Sequence, residues 1–157
     1  MSVGRYQFGM SRAEVSSVTD CQPYTSVAVT GGLECPHYSF DGREMSVSFQ
    51  FKADRLSRIQ LWYYEGDSDQ QAREAVTRVL DFLQRTAGSI TVRSRPDVPP
   101  TTDGVMNVMH SVRLAPGQIV QIEICTPSRP PSEIWFSRIG RHAYGYLVML
   151  FADAAGQ

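Results

Sequence analysis

Cys21, Cys35 and His37 form the one cluster in the sequence with metal-ligand chemistry. Cys35 and His37 stand at i and i+2 of an extended stretch, so they are expected to share a face, with Cys21 approaching from upstream. Zinc takes four protein ligands in structural sites and three plus a water in catalytic ones. No paired Cys-x-x-Cys or His-x-x-x-His accompanies these three residues, so no metal and no cofactor is expected. Free buried thiols and a Cys21–Cys35 disulfide both fit, the latter in an oxidising compartment. His110 and His142 sit among apolar strand-like residues, and each titrates close enough to neutrality to serve as a general base. That chemistry would suit a hydrolytic or small-molecule pocket. No serine or cysteine nucleophile stands in a recognisable motif beside them, and no phosphate loop, dinucleotide fingerprint or zinc-protease motif occurs. No catalytic residue is therefore assigned, and both histidines read as structural or surface residues.

A different chemistry is carried by Arg58, Trp62 and Tyr64, which alternate with Ile59, Leu61 and Tyr63. Side chains two apart on a strand share a face. If a helix covers the Ile59 face, then Arg58, Trp62 and Tyr64 are exposed together. Trp, Tyr and Arg dominate binding hot spots because they bury much area and still offer a donor. Trp135, on an edge strand after a Pro-rich loop, is a fourth candidate of this kind. The partner would be another protein, or a second copy of the chain in a homodimer closed by the same face.

The elements that must position these residues are legible in the periodicity. Ser11 followed by Glu14 is a capping box, flanked by Met10 and Val15 at the staple positions. A short helix is expected from Arg12 to about Val18. Val27 and Val29 alternate up to Gly31-Gly32, and Leu33–Phe40 reads as a strand weakened by Pro36. Asp41-Gly42 suits a two-residue hairpin turn. Tyr38 then lies opposite Met45, and Met45, Val47, Phe49 and Phe51 share a face. After a turn at Ala53-Asp54-Arg55, Leu56–Glu65 forms the partner strand. Ser68 and Gln71 make a second capping box for a long helix over Asp67–Ala87. Its stripe of Ala72, Ala75, Val76, Val79, Leu80 and Leu83 marks the buried side, and Asp67 and Asp69 suit its N-terminus.

The second half repeats this order. Short strands are expected at Ser89–Arg95 and Val105–Leu114, separated by a loop at Pro96–Asp103. Ile119–Thr126 follows, then a Pro-rich loop, then a hairpin of Glu133–Ile139 and Ala143–Ala152 turning at Gly140-Arg141. Tyr146–Phe151 is apolar on both faces and reads as a central strand. Helix, strands, helix, strands, with no βαβ alternation, gives an α+β fold with antiparallel sheet. The 157 residues fit one domain, with pseudo-repeats at 5–66 and 67–153.

The string Phe8-Gly9-Met10-Ser11, then Glu14-Val15, then Phe49-Gln50-Phe51 and Leu56 with Ile59, resembles the SmpA/OmlA and β-lactamase-inhibitor-protein-like group. These small bacterial domains set a helical segment opening on that signature against an antiparallel sheet, and the inhibitor proteins carry two such units in tandem. The resemblance spans roughly residues 6–65 at the level of motifs and the second half by element order. It implies protein binding through an exposed sheet face.

Composition narrows the class further. Fifteen basic residues against sixteen acidic ones give a net charge of -1. That balance lacks the basic excess of a nucleic-acid binder. No run of about 18 apolar residues is present, so no membrane insertion is expected. Without a visible leader the chain reads as cytoplasmic, or as periplasmic or secreted if a leader has been removed.

Overall fold

A computed structural model describes residues 3–87, 91–93, 118–125, 133–142 and 145–154. The elements run α1 (Arg12–Ser17), β1 (Thr25–Val27), β2 (Gly32–Phe40), β3 (Arg43–Lys52), β4 (Arg55–Gly66), α2 (Asp69–Ala87), β5 (Thr91–Arg93), β6 (Gln118–Cys125), β7 (Glu133–His142) and β8 (Gly145–Ala154). The fold is α+β. Among the described residues, eight strands form one sheet in the order β1-β2-β3-β4-β8-β7-β6-β5, with every pair antiparallel. Among the described residues, α1 precedes β1–β4 and α2 precedes β5–β8. The last strands of the two halves, β4 and β8, meet along the middle of the sheet.

Local chemistry sets the first half. The Ser11 hydroxyl accepts the Glu14 N–H, and the Glu14 carboxylate accepts the Ser11 N–H at 2.6 Å. These bonds satisfy two donors that a helix start leaves open, and they hold the Glu14 carboxyl below its usual range. Asp41 and Gly42 both take positive φ, the backbone of the tightest hairpin turn, and Phe40 pairs with Arg43 across it. In that register Tyr38 lies opposite Met45. The strand expected through Val29 stops at Val27, and Val29 is 96% exposed. The strand expected over Val105–Leu114 and the loop at Pro96–Asp103 lie outside the described residues. β7 and β8 pair to His142 and Gly145, so strand continues through Gly140-Arg141, where a turn was expected.

The main core lies between one sheet face and the two helices. From the sheet come Val47, Phe49, Ile59, Leu61, Val148, Leu150 and Ala152, and from α2 the stripe of Ala72, Val76, Val79, Leu80 and Leu83. Around α1, Tyr6 donates to the Tyr24 hydroxyl at 2.6 Å, and Tyr24 donates to the Val18 carbonyl at 2.7 Å. Burial, reinforced by the bond to Tyr24, pushes the Tyr6 phenol well above its ordinary range. Helices cover this face alone among the described elements, and the reverse face of the sheet carries the remaining side chains.

Candidate functional site: the sheet face opposite the helices

Cross-strand register assigns each residue to a face, because directly opposed residues point the same way. Arg58 opposes Asp153, Gln60 opposes Phe151, and Trp62 opposes Met149 on β4 and β8. Phe151 in turn opposes Phe136 on β7, and Met149 opposes Arg138. All of these alternate with the core-facing Ile59, Leu61, Leu150 and Ala152, so they occupy the face away from α2. There they build a second, smaller apolar cluster of Phe136, Met149 and Phe151 with Trp62 and Leu147 packed on it.

Its centre is a parallel ring stack. The rings of Phe136 and Phe151 lie 4.8 Å apart at an interplanar angle of 3°. The Arg58 guanidinium lies 5.5 and 5.2 Å from their centroids, and that of Arg138 lies 5.6 and 4.9 Å away. A cation near a ring face is attracted by the ring quadrupole, an effect of about 0.5–2 kcal/mol. Arg58 also donates from Nε and Nη2 to the two oxygens of Asp153, at 2.6 and 2.7 Å. These charge-assisted bonds fix the guanidinium plane and hold Arg58 still more firmly protonated than usual.

Beside the stack the face is hollow. A cleft of about 630 Å³ is lined by Thr25, Glu34, Ser46, Ser48, Trp62 and Glu65 together with backbone and side-chain atoms of neighbouring residues. A smaller hollow of about 180 Å³ shares Glu34, Ser48 and Trp62. Trp62 thus stands where the two hollows meet. Its indole N–H donates to the Ser48 hydroxyl at 3.3 Å, and that hydroxyl donates weakly to Glu34 Oε1 at 3.5 Å. Ser48 is 8% exposed, whereas Glu34, Ser46 and Glu65 are exposed.

Of the four residues nominated from sequence, Trp62 lies partly buried on this face and lines the cleft. Arg58 lies on the same face, but its donor fork is engaged by Asp153, so it holds the stack instead of presenting a free cation. Tyr64 is partly buried and also lines the cleft, but it departs from the expected alternation. A bulge between Trp62 and Tyr64 places Tyr64 opposite Val148, a core residue. Its hydroxyl accepts the Ser68 N–H at 2.9 Å, at the start of α2. That bond takes the place of the Gln71 half of the expected second capping box, while Ser68 Oγ still accepts the Gln71 N–H at 3.2 Å. Gly66 is required there, since a Cβ on it would collide with the Tyr64 hydroxyl.

Trp135 is corrected outright. It sits on β7, flanked by β6 and β8 rather than at an edge, and it is 3% exposed. Its ring lies 5.5 Å from Phe82 of α2, in the main core. Its indole N–H finds no acceptor among the described residues.

The shared face expected for Cys35 and His37 is not found, while the Cys21–Cys35 pairing is one of the two alternatives expected. A bulge between Cys35 and Tyr38 separates Cys35, fully buried in the core, from His37, which is exposed and pairs with Glu44 at 2.8 Å. The sulfurs of Cys21 and Cys35 are joined in a disulfide with Cα atoms 6.1 Å apart. Among the described residues no group of three or more His, Cys, Asp or Glu side chains could hold a metal ion. His110 lies outside the described residues. His142 ends β7 opposite Gly145, and its side chain lies outside them. The residues that sequence reasoning missed are Phe136, Phe151, Asp153 and Glu34. The alternation of Ser46, Ser48 and Gln50 against Met45, Val47 and Phe49 signalled a second face, but no local pattern paired it with β8.

Compared with known protein families, with curated proteins and with solved structures, the chain matches none.

Proposed function

We propose that the chain is a protein-binding module, not an enzyme, whose working surface is the sheet face opposite the helices, centred on Trp62. The observation that carries this reading is the placement of Trp62. It is a partly exposed indole between two hollows, on a floor that the Phe136–Phe151 stack and the Arg58–Asp153 pair make rigid. A pre-ordered floor lowers the entropy lost on binding. Large aromatic side chains near the centre of an interface carry a disproportionate share of binding energy. The resemblance of residues 6–65 to the SmpA/OmlA and inhibitor-protein-like group supports the same reading, as does the order of a helix followed by antiparallel strands in each half among the described residues.

The partner is another protein. The carboxylates of Glu34 and Glu65 at the cleft suit a phosphate backbone poorly. No helix among the described residues is long and apolar enough to cross a membrane. The buried disulfide favours an oxidising compartment, periplasmic or extracellular, over the cytoplasm.

Trp62→Ala is expected to weaken partner capture by at least about 30-fold, the effect of a hot-spot residue, in a chain that still folds as judged by circular dichroism. The measurement is quantitative retention of proteins from the source cell on the immobilised chain, with native and variant chains in parallel. Equal retention by both would remove this surface from consideration. Retention of the chain itself, lost in the variant, would make the partner a second copy.

A further inference from the structure

We propose that the cleft beside Trp62 receives the cationic end of an arginine or lysine side chain from the partner protein. This inference rests on the binding face described above and names the chemistry that the face selects. The cleft presents an indole wall at Trp62, a polar floor at Ser46 and Ser48, and a carboxylate at Glu34, with no basic residue among the described residues that line it. A guanidinium or ammonium group gains from both kinds of wall. The indole quadrupole attracts it, and a carboxylate accepts its N–H groups in short, charge-assisted bonds.

Glu34 has the capacity for this. Among the described residues it accepts the 3.5 Å contact from Ser48, and a carboxylate offers about four acceptor positions. The Ser48 hydroxyl orients the indole by accepting its N–H, so the ring edge is satisfied from within and a ring face can meet a ligand. Among the described residues, Arg58 and Arg138 of this face do not line the cleft. Arg58 is held by Asp153, and both Arg58 and Arg138 lie over the phenylalanine stack. A cleft of about 630 Å³ accommodates one long side chain with part of its flanking backbone.

The test uses the full chain and two short probes, acetyl-Gly-Arg-Gly-amide and its citrulline counterpart. Citrulline keeps the planar shape and removes the charge. The two tryptophans give two indole N–H resonances in a proton–nitrogen NMR spectrum, and Trp62→Phe identifies which belongs to Trp62. Titration with the arginine peptide is expected to move the Trp62 resonance saturably and leave that of Trp135 in place. The citrulline peptide and the Glu34→Gln variant are each expected to bind at least about tenfold more weakly. Added salt should weaken binding of the arginine peptide, because the site is exposed.

Equal affinity for the two peptides, unchanged affinity in Glu34→Gln, or no saturable shift of the Trp62 resonance would overturn the inference. The capture experiment of the preceding section separates this failure from failure of the face itself. If capture is lost in Trp62→Ala but kept in Glu34→Gln, the face stands and its preference for cations falls. If capture survives Trp62→Ala, the face itself has failed.

Discussion

Trp135→Ala should lower stability by about 3–5 kcal/mol, the usual cost of truncating a buried tryptophan. The ring is 3% exposed and fills the space between β7 and Phe82 of α2. Removing it leaves a cavity at the contact between the sheet and its principal helix, where Phe82 also meets Phe40 at 4.9 Å. A urea denaturation curve monitored by circular dichroism measures the effect. Trp135→Phe should cost far less. It keeps most of the ring and also removes a buried N–H that has no acceptor among the described residues, and leaving such a group unpaired costs about 1–3 kcal/mol. Both tryptophans read as outward-facing in the sequence; Trp62 does line the open face, whereas Trp135 is packed in the core and helps fix the fold. A Trp135→Ala midpoint equal to that of the unmodified chain would show that α2 does not pack on β7 as described.

Reduction of the Cys21–Cys35 bond has the second large effect. The bond closes a loop of 14 positions between the exit of α1 and the bulged start of β2. In the chain-entropy account, closing a loop of about 15 residues stabilises by about 3 kcal/mol. Reductant is therefore expected to lower the unfolding free energy of the oxidised protein by about that amount. A Cys21→Ala, Cys35→Ala double variant should be insensitive to reductant. Of the three cysteines, two are bonded, which leaves Cys125. One thiol should react under denaturing, non-reducing conditions, and three after reduction. Three reactive thiols without reductant would show that the bond does not form.

Much of the architecture was legible because it is local. Ser11 and Glu14 sit three apart, and the bonds they make are with each other. Asp41-Gly42 dictates a two-residue turn, and the turn dictates the register that sets Tyr38 against Met45. The stripe of α2 needs only its own spacing. The site was less legible because it depends on distant pairing. Arg58 and Asp153 are 95 positions apart, and nothing near either one announces the other. Their pairing follows from β4 lying beside β8, as does the opposition of Gln60 to Phe151.

The bulge in β4 is a subtler case. Trp62, Tyr63 and Tyr64 are all compatible with either face of a sheet, so strict alternation fits them as well as a bulge does. The bulge is decided by what each phenol can reach. Tyr63 donates to Asp41 at 3.4 Å beneath Arg78, and Tyr64 reaches the start of α2. Trp135 was misassigned for a related reason. The Pro-rich segment before it suggested an edge, whereas β6 from the same half of the chain pairs along its other side.

The most direct test of the binding face places a photo-crosslinking amino acid at one exposed position on each side of the sheet. Ser46 lines the cleft on the open face, and Gln84 lies on the outer surface of α2. Irradiation in the source cell is expected to join the partner protein to the chain labelled at Ser46 and not to the chain labelled at Gln84. A crosslink from Gln84 with none from Ser46 would contradict the account.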